Sequence, residues 1–258
     1  MHYVTACCDR FDEIVDVIDN NRTTYQIGGV MAKAAEIFET LQQMQMFSSL
    51  TRTELASIMD KISIKCFAKH DVILYEEDTN SSMYMILSGK VKVVQAKEDG
   101  KEIILAIHKA KDSFGELSMI DCKTSPATVV AIEDTTVAMI SSHNFHLIVY
   151  SQNKILDNVL RMLCHKLRES WDKIQMVNSK NAHQRVSMLF EQLSADHGEM
   201  TDEGLLLNLK LTHQVIADMT GLAREAVTRT LYVLQNKGEI TIGKNKMIYL
   251  RNSTSAEI

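Results

Sequence analysis

Three spacings of hydrophobic residues follow one another along the chain and divide it. Between Ala32 and about Lys61, Ile37, Leu41 and Met44, then Leu55, Ile58, Met59 and Ile62, recur every three or four positions, which places them on one face of a helix. Two short helices are predicted there, with Thr51 or Thr53 able to cap the second. From Ile64 to Ile140 the runs VILYEE, MYMILSG, KVKVVQAKEDGKEIILAIH, ATVVAI and TTVAMI alternate between apolar and polar, with turn residues between them. Such alternation predicts an antiparallel sandwich or roll. Asp99-Gly100 divides the longest run as a tight hairpin turn, where glycine supplies a positive φ.

Beyond His143 the helical spacing returns. Leu156, Leu160, Leu163, Leu167 and Ile174 line up as an apolar seam, while Arg161, Lys166, Arg168, Glu169, Asp172 and Lys173 occupy the other faces. A seam of this length suits two helices paired along it, so these five residues are the expected interface of a homodimer; a helix packed only on its own roll is the alternative. Residues 181–250 read as helix, short strand, helix, helix and a hairpin made from EITIGKNKMIYL, a winged helix-turn-helix order. The fold class expected is α+β: an N-terminal antiparallel β-roll, a long dimerisation helix and a C-terminal winged helix-turn-helix domain. The boundaries fall at 1–31 for an N-terminal extension, 32–150 for the roll, 151–179 for the long helix, 180–252 for the last domain and 253–258 for a tail. Within YQIGGVM, Gly-Gly codons followed by a methionine codon can spell a ribosome-binding site and start, so synthesis is expected to begin at Met31; a genuine N-terminal arm is the other reading.

Composition narrows the setting. A chain of 258 residues holds two domains with a core each, and the single proline fits a chain rich in regular structure. No run of eighteen apolar residues occurs and the first thirty residues lack the pattern of a secretory signal, which makes the cytoplasm the expected location, with no membrane partner. The five cysteines include no C-x-x-C pair, so neither a disulfide framework nor a zinc knuckle is indicated. No metal site is expected. A formal charge of -5 argues against indiscriminate coating of nucleic acid, although a whole-chain sum can hide a local basic face.

That basic face lies in LTHQVIADMTGLAREAVTRTLYVLQNKGEI. Thr212 can cap a first helix running to about Met219, Gly221 makes a turn, and a second helix runs from about Arg224 to Asn236. With Val227, Leu231 and Leu234 facing inward, Arg224, Glu225, Thr228 and Arg229 share the outer face at the start of that helix. Arginine can donate two parallel hydrogen bonds to guanine O6 and N7, and a carboxylate can accept from the cytosine amine. From Gly221 to Lys246, five basic residues stand against two acidic ones. The set suits base contacts in duplex DNA.

Over residues 32–250 the chain resembles the CRP/FNR family of bacterial transcription regulators. MYMILSGKVKVVQAKEDGKEIILAIHKAKDSFGELSMI is similar to that family's cyclic-nucleotide-binding roll, and LTHQVIADMTGLAREAVTRTL to its helix-turn-helix. The resemblance implies a homodimer on a palindromic site in double-stranded DNA. It implies base contacts from Arg224, Glu225, Thr228 and Arg229, phosphate contacts from Thr212, His213, Gln214 and Lys246, and a contact with RNA polymerase. It also makes the roll a sensor, with activation or repression left open.

The implied effector pocket comprises Gly115, Glu116, Leu117, Ser125, Ala127, Ser170 and Trp171. In members that bind cyclic AMP, an arginine in an Arg-Ser-Ala triplet holds the phosphate and the glutamate of Gly-Glu-Leu accepts from the ribose. Here the triplet reads Ser125-Pro126-Ala127. The arginine is gone and Pro126 offers no N–H, so a phosphodiester beside Glu116 would lack a fixed cation, and cyclic AMP is disfavoured. Lys123 stands nearby but lacks a guanidinium's planar fork. Glu77 and Lys111 replace glycines usual at tight turns of the family's roll, and Trp171 is expected to plug the pocket or stack on a flat ligand.

The cofactor stays unknown. An iron-sulfur cluster would have to use Cys7 and Cys8, which are adjacent; haem is possible through His70, His108 or His146. Cys122, beside Lys123, is the candidate redox thiol, ahead of Cys164. The reading is therefore a DNA-binding homodimeric regulator switched by a small-molecule or redox signal other than cyclic AMP. A haem-based gas sensor of the same family, or a cyclic-nucleotide module that contacts protein, are the alternatives. The absence of G-x-S-x-G, a Walker loop or a metal-ligand cluster points away from an enzyme.

Overall fold

A computed structural model describes residues 28–96, 100, 102–202, 204–243 and 247–251. The chain divides into two compact units. One takes residues up to Gln95 together with Leu105–Lys166, the other Ala96–Ile104 and residues from Leu167 onward.

The first unit opens with helix α1 (Gly28–Gln42), which starts four residues before the expected position, and a short helix α2 (Arg52–Ala56). Thr51 caps α2 in a reciprocal arrangement: its hydroxyl accepts from Glu54 N at 3.2 Å and its own N–H donates to Glu54 Oε2 at 2.8 Å. The apolar positions that announced these helices, Ile37, Leu41, Met44, Leu55, Ile58, Met59 and Ile62, are all buried.

Eight strands follow: β1 (Ile62–Phe67), β2 (Val72–Leu74), β3 (Ser82–Ser88), β4 (Lys90–Ala96), β5 (Glu102–Lys109), β6 (Ser113–Phe114), β7 (Thr128–Ala131) and β8 (Thr135–Ser141). They form two antiparallel sheets ordered β1-β8-β3-β6 and β2-β7-β4-β5. Phe67, Ile86, Val91, Phe114, Val129 and Val137 fill one core of the roll. Glu77 and Lys111 both adopt the left-handed region, φ 63° and 80°, where a side chain is tolerated at some cost. Lys111 N donates to Ile86 O at 2.8 Å and Glu77 N to Ser125 O at 2.8 Å, which fixes both turns. Asp99 lies outside the described residues; Gly100 has φ 77°.

Helix α3 (Glu116–Asp121) sits between β6 and β7; α4 (Ser142–Ser151) leads into the long helix α5 (Asn153–Asn178). Ile155, Val159 and Met162 of α5 join Leu41, Phe47, Met83 and Phe145 in a second core of this unit. Buried Asn158 donates to Met46 O at 3.0 Å and Ser49 Oγ at 2.8 Å. Lys154 meets Glu54 at 2.8 Å, and that hydrogen bond draws the Glu54 carboxyl down to about 2.

In the second unit, α6 (Ala182–His197) starts from an Asn181 cap and is followed by β9 (Gly198–Thr201), β10 (Gly204–Leu207), α7 (His213–Thr220), α8 (Arg224–Asn236), β11 (Ile240–Ile242) and β12 (Ile248–Leu250). The one strand expected before α7 is a hairpin, because β10 pairs with both β9 and β12 and completes a sheet ordered β11-β12-β10-β9. Among the described residues no helix is long and apolar enough to cross a membrane.

Candidate nucleic-acid interface and sensor turn

The helix-turn-helix is built from three local devices. Val215 N donates to Thr212 Oγ1 at 3.1 Å and begins α7. Gly221, at φ 66°, ends it in the left-handed cap that glycine adopts without strain. Val227, Leu231 and Leu234 are buried along α8, and the 3.6-residue turn then leaves Arg224, Glu225, Thr228 and Arg229 exposed on the opposite side. Tyr232, 66% exposed one turn beyond Thr228, extends this face.

His213 and Thr228 join the two helices through a 2.9 Å hydrogen bond, and the Thr228 hydroxyl donates to Arg224 O at 3.0 Å. Gln214 donates to Asp218 at 2.7 Å. Thr212, His213 and Gln214 thus stand at a helix N-terminus, where unpaired N–H groups favour phosphate. Lys246 lies outside the described residues.

Arg185 of α6 was invisible as a site residue in the sequence. It donates from Nη1 to Thr220 O at 3.1 Å, at the C-terminal end of α7, and from Nη2 to Ser179 O at 2.6 Å, just past α5. One guanidinium therefore fixes the helix-turn-helix to the chain leaving α5. Only a run of polar residues marked this position, since both acceptors are backbone carbonyls.

In the first unit the Gly-Glu-Leu turn is tightly made. Gly115 has φ 87°, and a Cβ there would lie 2.8 Å from Ser82 O and 2.9 Å from Asn80 Nδ2, so glycine is required. Asn80 Nδ2 donates to Ser82 O at 2.7 Å and to Gly115 O at 3.0 Å. Glu116 is 2% exposed and Leu117 47%. Lys166 of α5, assigned to a solvated face in the sequence, donates to Glu116 Oε1 at 2.8 Å and to Ser113 O at 2.7 Å. Glu116 Oε2 and the Ser118 hydroxyl are buried with no hydrogen-bond partner among the described residues.

These residues do not fit a cyclic nucleotide phosphate. Ser125 is buried and turns its hydroxyl to Ala127 O at 2.8 Å. Pro126 has no N–H and its carbonyl takes Gln95 Nε2 at 2.7 Å. Lys123 is exposed and faces Asp121 at 3.9 Å. The fixed cation missing from the sequence reading does exist, as Lys166, but it is spent on Glu116.

Ser170 and Trp171 belong to the second unit and both are exposed. Trp171 is 57% exposed and shares an apolar stripe of α5 with Leu156, Leu160, Leu167 and Ile174. Leu163, expected in the same seam, instead packs partly against the first unit's core. Cys122 is exposed, in a left-handed conformation at the end of α3, and Cys164 is exposed on α5. Of the histidines considered for haem, His70 is exposed in a left-handed turn, His108 lies 3.7 Å from Asp112 and His146 stacks on Tyr150. No group of three or more metal-ligating side chains is present among the described residues.

A capped helix-turn-helix with an exposed polar outer face, in a chain that also carries a β-roll, has the make-up of a DNA-binding regulator. Residues 64–150 match the cyclic nucleotide-binding domain family and residues 184–254 the Crp-like helix-turn-helix domain family. The chain is 24% identical over 198 residues to the cyclic AMP receptor protein of Thermus thermophilus, spanning 77% of this chain and 88% of that protein. It is 25% identical over 211 residues to the CRP-like cAMP-activated global transcriptional regulator of Mycobacterium tuberculosis, spanning 81% and 94%. The solved structure of FixK2 from Bradyrhizobium japonicum shares the fold with a TM-score of 0.66 at 23% identity, over 74% of this chain and 93% of that one. The chain belongs to the CRP/FNR family of transcription regulators, with a helix-turn-helix DNA-binding domain.

Proposed function

We propose that the protein acts as a homodimer on a palindromic site in double-stranded DNA, with Arg224, Glu225, Thr228 and Arg229 of each copy on base edges and Thr212, His213, Gln214 and Lys246 on phosphates. One observation carries this reading: the four polar side chains at the start of α8 are exposed together, beside the capped N-terminus of α7. Arginines so placed suit guanine edges, and a helix N-terminus suits phosphate. The exposed stripe of α5 supports pairing of two copies, which sets two recognition helices on one duplex. The roll of residues 32–150 serves as the sensor, in a cytoplasmic protein that contacts RNA polymerase. The closed Ser125 hydroxyl and Pro126 support a signal other than cyclic AMP. Selection of bound duplexes from a random pool tests the proposal. Recovered sequences should share a two-fold symmetric motif containing G·C pairs, and binding should weaken with salt. Recovery of unrelated sequences would contradict it.

A further inference from the structure

The carboxylate of the Gly-Glu-Leu turn is already occupied by the chain itself. Glu116 is almost wholly buried, and a buried carboxylate is costly unless a charge and donors compensate it. Lys166 supplies the charge and a donor to Oε1 at 2.8 Å, Oε2 having no partner among the described residues, and its second bond to Ser113 O holds the ammonium against the backbone of β6. Four residues earlier on the same helix, Met162 Sδ lies 3.1 Å from the Ser113 hydroxyl. The first part of α5 is thus fastened to one turn of the roll at two successive helical positions.

An external ligand that used Glu116 would first have to displace Lys166. A ligand bearing a phosphate would then face the bared carboxylate. The other groups at the turn offer it little: Ser125 is bonded to Ala127 O, and Lys123 stands exposed beside Asp121. A signal shifts a protein only through different affinities for its arrangements. A lysine built into α5 makes the same kind of contact permanently.

Resting on the DNA-binding reading above, we infer that Lys166 is the built-in ligand of the sensor turn, and that the protein takes its DNA-binding form with no small molecule in that pocket. The ion pair holds the first part of α5, and α5 runs on through Leu167, Trp171 and Ile174 of the stripe proposed for pairing.

The test compares operator binding by protein as purified and by protein unfolded, dialysed free of small molecules and refolded to the same circular dichroism. A labelled duplex from the selection serves as probe. Both preparations should bind equally, and cyclic AMP should change neither. Lys166→Met should weaken binding about tenfold or more, and so should Lys166→Ala, whose vacated space lets ethylammonium, but not tetramethylammonium, restore part of the loss. Refolded protein that binds only after cyclic AMP is added, or that stays inactive while the untreated protein binds, overturns the inference, as does a Lys166→Met protein that binds like the parent. Should Lys166→Met fail to fold, Glu116→Gln decides: weakened binding supports the inference and unchanged binding overturns it. Failure of the untreated parent protein to prefer any duplex would instead sink the DNA-binding reading.

Discussion

His213 Nδ1 lies 2.9 Å from the Thr228 hydroxyl, so a residue proposed for phosphate and one proposed for bases form a single hydrogen-bonded row across the helix-turn-helix. Replacing His213 with alanine removes that brace and leaves the Thr228 bond to Arg224 O in place. His213→Ala should weaken binding to operator and mutated operators alike by about 1 kcal/mol. Competition binding measures this. A change confined to one base position would mean that His213 reads sequence directly.

Arg185 makes two charge-assisted bonds to backbone carbonyls, at Thr220 and Ser179. Arg185→Ala leaves the carbonyl ending α7 without its cation and should destabilise the protein by about 2 kcal/mol. Urea titration reads the stability. In binding, affinity should fall for every duplex while base preference is kept, and Arg185→Lys should recover part of both.

The stripe of α5 predicts an optical signal. Trp171 is the only tryptophan in the chain and is 57% exposed. Pairing through Leu156, Leu160, Leu167 and Ile174 would bury it, so emission should shift to the red on dilution as dimers separate. Leu160→Glu should hold the protein monomeric in sedimentation, with red-shifted emission at every concentration. Blue-shifted emission from a monomeric Leu160→Glu protein would exclude Trp171 from the interface.

Lys173 donates to Ile104 O of β5 at 2.8 Å, and burial lowers its pKa from 10.5 to about 8. Between those values the folded protein has released a proton that the unfolded chain still holds. Unfolding then takes up a proton, and this lysine's contribution to stability rises with pH across that window and is flat below it. Lys173→Met removes the titration. The urea midpoint of the parent relative to this variant should therefore increase from pH 8 toward pH 10 and stay constant below pH 8. A constant difference throughout would place the ammonium in solvent.

Much of this was legible in the residues because it is local. Thr212, Gly221 and the spacing of Val227, Leu231 and Leu234 bounded the helix-turn-helix within a residue of its observed ends, since caps and left-handed turns depend on side chains a few positions apart. Glu77 and Lys111 were marked as standing at glycine turns, and both have positive φ. What escaped the sequence depends on contacts between distant segments. Lys166 and Glu116 are 50 positions apart, and a lysine in a charged helix carries no sign of which carboxylate it meets. Among the described residues Arg185 bonds to backbone carbonyls, which every residue has. The place of Trp171 on the Leu160–Leu167–Ile174 stripe follows from helical spacing alone. The β9–β10 hairpin looks like a single strand in the sequence because GEMT, with one apolar residue, shows little alternation.

Base-pair reading by α8 is tested most directly by the ratio of affinities for a selected operator and for random duplex at one fixed salt concentration, with and without Arg229. The parent protein should prefer the operator by about 1,000-fold or more. Arg229→Ala should lose about 1 to 3 kcal/mol at the operator and stop discriminating at one base pair in each half-site. Equal binding of operator and random duplex by the parent, or an Arg229→Ala protein with unchanged affinity and base preference, would contradict the assignment of this helix to the DNA.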